Sequence, residues 1–337
     1  MSGPVAPVVI DGSYREGGGQ ILRLALPMAG ALHIPVRIHS IRLGRPNPGL
    51  STQHLMVTNT LARLCHAAVT GGSLRSTEVA FDPPCGDAVA PTPGADTVTS
   101  FRIDTDTAAS VTLIVQAVLP LLVLQSGQDR VSVVDITGGT HVAFSPPLDF
   151  LRHVLMPHLS SMNVHARITS FTKGFYPVGR GGIQLVVQPQ IAPIQPIRLV
   201  KQGVVTTVKC VVWGTGLGDD SDSTIRYLME QLRSQILETL APFISADTPL
   251  SIWEDYKVKS KYSMLGCQLW CETDTGCILC ANDSMETGGS NKSKMATSID
   301  PAELARRATS RVLHQLASGA AVDEHTADQL LVFMAAA

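Results

Sequence analysis

Arg42 and Arg45 are the side chains of this sequence best suited to chemistry with phosphate. They stand three residues apart, where the apolar segment 36–41 runs into a proline–glycine turn. Guanidinium groups in such a turn hold phosphate oxygens through bidentate, charge-assisted hydrogen bonds. Gln53 and His54 follow closely and add polar side chains. We interpret the cluster as a phosphate clamp, and the alternative of a solvated surface turn stays open from these residues alone.

A glycine-rich stretch precedes this cluster. The segment Asp11-Gly-Ser-Tyr-Arg-Glu-Gly-Gly-Gly-Gln-Ile-Leu-Arg23 follows an apolar strand and leads into an apolar, helix-spaced segment. Bare N–H groups that open a helix favour an anion, and Glu16 and Arg23 make the turn polar. The stretch lacks the glycine spacing of a dinucleotide fold and the Gly-Lys-Ser/Thr ending of a P-loop. A purely structural turn is therefore the alternative.

Two segments of similar order predict an internal repeat of about 90 residues. Apolar periodicity in the first segment predicts strands near 8–10, 36–41, 74–81 and 99–104 and helices at 20–32 and 51–68. In the second it predicts helices at 108–124 and 147–161 and strands at 131–136, 164–171 and 183–187. We read each unit as strand, helix, strand, helix, strand, strand.

The sequence changes character after residue 190. A proline-containing linker at 191–196 precedes predicted strands near 197–213, 250–258, 264–271 and 276–281, with a helix at 223–240. We predict a separate small α/β unit here. Asp300, followed by Pro301, predicts a helix start, and Asp323 opens a last apolar helix.

Three further groups of residues have side chains that could carry chemistry. Gln116 lies in an apolar helix, where a buried amide more often bonds backbone than ligand. His325, Asp328 and Gln329 fall within one helical turn, and a surface pair is the alternative for the first two. Four cysteines are interpreted as buried apolar residues of strands rather than as zinc ligands: Cys267, Cys271, Cys277 and Cys280.

The composition favours a folded enzyme over a disordered chain. The 337 residues are 45% hydrophobic and 16% charged, with a net charge of −2, which argues against broad, nonspecific binding of nucleic acid. Positive charge is concentrated in residues 1–64, with six arginines against two acids. The longest apolar stretch, 111–124, is too short for a membrane helix. No signal peptide is predicted, and seven cysteines suit a reducing compartment.

Several ordered motifs resemble those of the RNA 3'-terminal phosphate cyclases, of the eukaryotic type, over nearly the whole chain. In chain order they are Asp11-Gly-Ser13, Glu16-Gly-Gly-Gly-Gln-Ile-Leu-Arg23, Ile41-Arg-Leu-Gly-Arg45, Pro48-Gly-Leu50, Gln53-His-Leu55, Leu113-Ile-Val-Gln116 with Leu119-Pro120, Gly138-Gly-Thr140, Gly174-Phe-Tyr-Pro177 and Asp328-Gln-Leu330. The related cyclase-like ribosome-assembly proteins usually lack the Gln-His-Leu and Asp-Gln-Leu motifs.

The resemblance implies an α/β fold with a large domain of three βαβαββ repeats, the third incomplete here. A smaller thioredoxin-like α/β domain is inserted in the third repeat. We expect the large domain at 1–190 and 285–337 and the inserted domain at 191–284. The implied reaction, of the ligase class, is ATP-dependent conversion of an RNA 3'-terminal phosphate to a 2',3'-cyclic phosphate through enzyme–AMP and RNA-adenylate intermediates. RNA processing in the nucleoplasm is expected, with the cytoplasm as the alternative; no membrane is expected, and the oligomeric state is left open.

The resemblance also implies roles for particular residues. Glu16 belongs to the catalytic site and is the candidate ligand of a divalent metal, Mg²⁺. The residues expected to hold phosphates or the RNA end are Arg42, Arg45 and Gln53. The residues expected to contact ATP are Gln116, Pro146, His325, Asp328 and Gln329.

Two departures from the family pattern qualify the implied activity. His325 stands where members commonly have tyrosine, so the surface for stacking adenine is smaller and more polar. The family's nucleophilic histidine is expected beyond the Asp328-Gln-Leu330 helix and outside these 337 residues. We therefore expect that the 337-residue chain forms no covalent AMP adduct. A non-catalytic RNA- and ATP-binding relative, or a ribosome-assembly protein of the cyclase-like branch, is the alternative.

Overall fold

Three four-stranded mixed sheets with helices packed on them form the structure. The computed structural model describes residues 5–15, 17–84, 98–105, 107–125, 130–218, 221–258, 262–287 and 299–337. Strands and helices are interspersed along the chain, so the predicted α/β fold class is confirmed.

The first sheet has the strand order β1-β2-β4-β3, with β1 parallel to β2 and the other pairs antiparallel. Its elements are β1 (Val8–Asp11), α1 (Gln20–Leu32), β2 (Val36–His39), α2 (Thr52–Cys65), β3 (Ala68–Thr70) and β4 (Val79–Asp82). Leu22 and Leu26, one helical turn apart, are buried in α1. Helix α2 ends at Cys65, earlier than predicted, because His66 takes a left-handed conformation (φ 55°) and caps it.

The second sheet repeats this order as β5-β6-β8-β7, again with one parallel pair followed by two antiparallel pairs. Its elements are β5 (Val98–Asp104), α3 (Val111–Leu124), β6 (Val131–Gly138), α4 (Leu148–Phe150), a π-helical turn (Leu151–Leu155), α5 (Met156–Ser161), β7 (Ala166–Thr172) and β8 (Gly181–Val187). Helix α3 is buried on nearly all sides and contacts both α1 and α2. The first two units therefore pack through their helices.

One predicted strand belongs to a different unit from the one expected. The segment near 99–104 was predicted to close the first unit, and this assignment is wrong. It forms β5, which pairs in parallel with β6 from Val98 opposite Val131 to Asp104 opposite Thr137. Local periodicity identifies a strand, but its partner depends on side chains of distant segments.

The third sheet has the order β10-β9-β11-β12. The remaining elements are β9 (Val205–Thr215), α6 (Ser221–Thr239), β10 (Leu250–Val258), β11 (Ser263–Thr273), β12 (Ile278–Thr287), α7 (Pro301–Ala317) and α8 (Glu324–Met334). Helices α6 and α7 pack on each other and share one apolar core with the sheet, whereas α8 contacts α3 and the π-helical turn. The domain boundaries at 190 and 285 stay a prediction.

A buried ionic network joins the second unit to the third sheet. The ammonium group of Lys173 lies 3.4 Å from Asp149 Oδ2 and 2.9 Å from Asp255 Oδ2 on β10. His141 Nε2 lies 3.0 Å from the same Asp149 oxygen, and Trp213 of β9 contacts the His141 ring edge-on. Burial alone raises the pKa of Asp149, but the hydrogen bond with His141 and the charges around it hold that pKa well below its usual range. The carboxylate is therefore ionised within the interior.

The apolar helices of the structure are short. Helix α3, the most apolar, extends over 14 residues. Among the described residues no helix combines the length and apolar character that crossing a bilayer requires.

Candidate functional site

Two neighbouring cavities, of about 640 and 620 Å³, lie between the glycine-rich turn, the segment after β6, and the elements β12, α7 and α8. We call the first the arginine cavity; its lining is Gly18, Gly19, Arg23, Arg42, Arg45, Gln53, His54, Ala108, Ser110, Leu113, Val142, Ala143, Phe144, Tyr176 and Glu286. We call the second the glutamine cavity; its lining is Gln20, Arg23, Leu113, Gln116, Phe144, Ser145, Pro146, Asn282, Arg311, Glu324, His325, Asp328 and Gln329. Arg23, Leu113 and Phe144 line both.

The arginine cavity brings together three residues that the sequence pointed to: Arg42, Arg45 and Gln53. Arg42 has a left-handed backbone (φ 56°) and donates from Nη1 to the Gly49 carbonyl at 3.1 Å. Burial, together with the charges of Arg45 and Arg75, lowers the pKa of Arg42. Clustered like charges repel one another, and a bound anion would relieve that repulsion. The arrangement is therefore suited to binding phosphate.

Gln53 contributes a donor to the same cavity. Its Nε2 is buried and has no hydrogen-bond partner among the described residues. A buried amide without a partner costs about 1–3 kcal/mol. A ligand oxygen in the arginine cavity would remove that cost.

Gly19 allows the His54 ring to lie against the glycine-rich turn. A Cβ atom at Gly19 would stand 2.1 Å from His54 Nε2 and 2.9 Å from Arg23 Nη1. The ring cannot easily withdraw, because His54 Nδ1 accepts a hydrogen bond from the Ser51 backbone N–H at 3.3 Å. That bond assigns the proton of the neutral ring to Nε2. Any side chain at position 19 would therefore displace a ring that lines the arginine cavity.

His54 is neutral at physiological pH. Burial, and then the charges of Arg42 and Arg23, lower its pKa to about 4. An unfolded histidine titrates near pH 6.5. The unfolded chain therefore binds a proton at this residue between about pH 6.5 and 4 that the folded chain does not, and stability falls as the pH drops through that window.

We expect the substitution His54→Gln to remove part of this acid sensitivity. Glutamine accepts the Ser51 backbone N–H in a capping box but does not titrate. From pH 7 to pH 5 the wild type should lose about 2 kcal/mol more of its free energy of unfolding than the variant loses. Urea unfolding followed by tryptophan fluorescence at both pH values measures the difference; equal losses in the two proteins would contradict the assignment.

The glutamine cavity collects one glutamine from each of three helices. Gln20 of α1, Gln116 of α3 and Gln329 of α8 all line it. The sequence shows each of them ahead of or within an apolar run, and the fold brings the three together. Among the described residues the partner of Gln116 is a side chain rather than the backbone: its Oε1 accepts a hydrogen bond from Arg23 Nε at 2.7 Å. This bond fixes the guanidinium group that both cavities share.

Helix α8 presents its first turns to the same cavity. Asp323 caps the helix by accepting from the backbone N–H groups of His325 and Thr326 at 3.0 and 2.9 Å. His325 and Asp328 line the cavity, and His325 Nε2 lies 3.9 Å from Glu324 Oε1. Pro146, also in the lining, is fixed by its carbonyl, which accepts from Thr112 Oγ1 at 2.7 Å. The five residues expected to contact ATP thus share one cavity.

Glu16, the expected catalytic acid and metal ligand, lies outside the described residues. Within the parts of the chain that are described, no group of three histidine, cysteine, aspartate or glutamate side chains is arranged to hold a metal ion. The Mg²⁺ and its ligand Glu16 stay a prediction.

Several lining residues were absent from the predicted site. They are Arg23, Phe144, Tyr176, Glu286 and Arg311. Arg23 was predicted only to make the turn polar. Burial lowers its pKa to about 10, and its side chain lies between the two cavities. Its position one turn into α1 was the available signal. Glu286 comes from β12, and no local motif connects that strand to the arginines.

The chain is similar to known proteins along nearly its whole length. A family model described as RNA 3'-terminal phosphate cyclase matches residues 14–337. A protein of that name from Thermococcus onnurineus (strain NA1) is 34% identical over 329 residues, which are 97% of this chain and 86% of that protein. One from Drosophila melanogaster is 33% identical over 328 residues, covering 97% of this chain and 83% of that protein.

Proposed function

Because the chain belongs to the RNA 3'-terminal phosphate cyclase family, we propose that it uses ATP to convert an RNA 3'-phosphate to a 2',3'-cyclic phosphate. The observation that carries this proposal is the shared wall of the two cavities. Arg23 lines both, so two phosphate-bearing substrates would meet at one buried cation. Activation of one phosphate by another requires such a meeting.

The RNA 3'-phosphate would occupy the arginine cavity. Arg42 and Arg45 supply charge-assisted donors, and Gln53 supplies an N–H that is otherwise unpaired. His54, neutral and with its proton on Nε2, adds a donor without adding charge. The terminal phosphate would be the group that these side chains recognise.

ATP would occupy the glutamine cavity. Pro146 and His325 provide surfaces for the adenine ring, and the amides of Gln116 and Gln329 provide donors and acceptors. The phosphates of ATP would then point towards Arg23, the residue shared with the arginine cavity. Transfer of AMP requires that the α-phosphate, and not the γ-phosphate, lies next to the RNA end.

The proposed reaction proceeds by transfer of AMP. In the reaction that the resemblance implies, a histidine displaces pyrophosphate from ATP, the AMP passes to the RNA 3'-phosphate, and the neighbouring 2'-OH displaces AMP as the ring closes. That histidine is expected outside these 337 residues, so the part proposed for them is to bind and position the two substrates. Arg23, Arg42 and Arg45 would neutralise charge on the reacting phosphates and hold them in line. Mg²⁺ would accompany the ATP phosphates, which supply most of its ligands in many nucleotide sites, with Glu16 as the proposed protein ligand.

The proposal extends to the architecture. We infer that the first two units and α8 belong to three βαβαββ repeats, with a thioredoxin-like unit inserted in the third. The common strand order of the first two sheets supports this, as does the convergence of one glutamine from each of α1, α3 and α8.

We expect the substitution Gln329→Ala to weaken ATP binding about tenfold, because it removes an amide that is 7% exposed and lines the glutamine cavity. The matched control is Gln231→Ala on α6, a glutamine that lines neither cavity; it should bind ATP as the wild type does. Isothermal titration calorimetry with ATP and MgCl₂ measures the ATP affinity of both variants.

The ATP titration also separates the alternatives. If both variants bind ATP as tightly as the wild type does, ATP binds elsewhere and the proposed orientation is contradicted. A ribosome-assembly protein without nucleotide chemistry should bind no ATP, whereas a cyclase or a non-catalytic relative should. Incorporation of label from α-labelled ATP then separates the last two.

A further inference from the structure

Two aromatic rings stand exposed on the wall of the arginine cavity. Phe144 is fully exposed, and the side chain of Tyr176 is 47% exposed. Both line the cavity that holds Arg42 and Arg45. A single exposed apolar ring needs no explanation, but two beside an arginine pair require one.

The backbone holds Phe144 outward at a cost. Its φ of 59° lies in the left-handed region, which is unfavourable for a bulky side chain. The turn around it is closed by Ser145, whose hydroxyl donates to the Val142 carbonyl at 2.9 Å. Conformations of this kind are found preferentially where function requires them.

The segments that carry the two rings are joined to each other. The backbone N–H groups of Thr140 and His141 both donate to the Gly174 carbonyl, at 2.8 and 3.1 Å. The Gly174 N–H donates in return to Thr140 Oγ1 at 2.9 Å. The backbone segments that carry Phe144 and Tyr176 are therefore joined before any ligand binds, which reduces the backbone entropy lost on binding.

The combination of exposed aromatic rings and a cationic phosphate site is typical of proteins that bind single-stranded nucleic acid. We propose that Phe144 and Tyr176 form a stacking surface for the bases at the 3' end of the RNA whose phosphate Arg42 and Arg45 hold. This inference rests on the proposed function. It adds that the site recognises the last nucleotides of the strand and not the terminal phosphate alone.

RNA is favoured over the adenine of ATP as the occupant of this surface. Tyr176 lines the arginine cavity but not the glutamine cavity. The adenine has its own expected surfaces at Pro146 and His325, in the glutamine cavity. Phe144 borders both cavities, so the ATP affinity of Phe144→Ala shows whether this ring contacts the RNA or the adenine of ATP.

The test compares two short RNAs that both end in a 3'-phosphate, one with all its bases and one lacking the last two. Phe144→Ala and Tyr176→Ala should each weaken binding of the complete RNA about tenfold and leave the affinity for the abasic RNA unchanged. Tyr176→Phe keeps the ring and should bind within about twofold of the wild type. Phe144→Trp should show fluorescence quenching by the complete RNA only.

Three outcomes would overturn the inference. They are equal losses for both RNAs, no loss for either, and a loss of ATP affinity in Phe144→Ala as large as its loss of RNA affinity. The same RNA with a 3'-hydroxyl separates this inference from the proposed function. If the wild type prefers the 3'-phosphate but the aromatic variants change nothing, the stacking surface alone is wrong. If the wild type shows no such preference, the proposed function itself is wrong.

Discussion

The double substitution Arg42→Ala/Arg45→Ala should weaken binding of an RNA 3'-phosphate roughly a thousandfold, since each charge-assisted hydrogen-bonding group contributes about 1.5–3 kcal/mol. Both side chains line the arginine cavity, and the pKa of Arg42 is lowered by burial and by its cationic neighbours. In the wild type a bound phosphate would relieve the repulsion between these cations, and in the variant it would lose both cationic partners. Fluorescence anisotropy with a labelled RNA measures the loss.

The matched control is Arg37→Ala. Arg37 lies on β2 of the same sheet and pairs with Asp82 at 2.7 Å, but it does not line either cavity. Its removal should change RNA affinity by less than about twofold at physiological salt, where distant exposed charges are screened. A double variant that still binds the 3'-phosphate as the control does would place the RNA end elsewhere.

The substitution Lys173→Met should cost about 3–5 kcal/mol of the free energy of unfolding, because it removes the buried ammonium group that lies between the buried carboxylate of Asp149 and the partly exposed carboxylate of Asp255. Lys173 lies 3.4 Å from Asp149 and 2.9 Å from Asp255, and its own side chain is 1% exposed. The pairs join the second unit to β10, so both should lose stability together. Chemical unfolding followed by tryptophan fluorescence and by circular dichroism measures the change.

The third sheet offers a matched lysine. Lys209 lies 2.7 Å from Glu272, but these side chains are 35% and 33% exposed, and such pairs contribute at most about 1 kcal/mol. Lys209→Met should therefore be nearly neutral. Equal effects of the two substitutions would show that burial does not set the strength of the Lys173 network.

Local sequence patterns identified most elements of this fold and much of the site. The capping residues Asp300 and Asp323 accept the backbone N–H bonds that their positions predicted. The three glutamines each stand ahead of or within an apolar run in the sequence, at the first position of α1 and at the sixth position of α3 and of α8. Arg42 and Arg45 could be predicted since both lie in a single turn.

Features that depend on contacts between distant segments could not be predicted in this way. The partner of β5 is set by β6, and the Lys173 network depends on Asp255, which is 82 positions further along the chain. Phe144 and Tyr176 reach one cavity through bonds between Thr140 and Gly174. Glu286 enters the arginine cavity from the third sheet. Apolar periodicity contains no information about such contacts between distant segments.

The affinity of the chain for two RNAs that differ only in a 3'-phosphate or a 3'-hydroxyl tests the central claim most directly. The arginine cavity, with its cluster of cations and the unpaired Gln53 amide, predicts that the phosphorylated RNA binds at least about a hundredfold more tightly. Equal affinity for the two RNAs would contradict the account, because the cavity would then not recognise the group that the proposed reaction consumes.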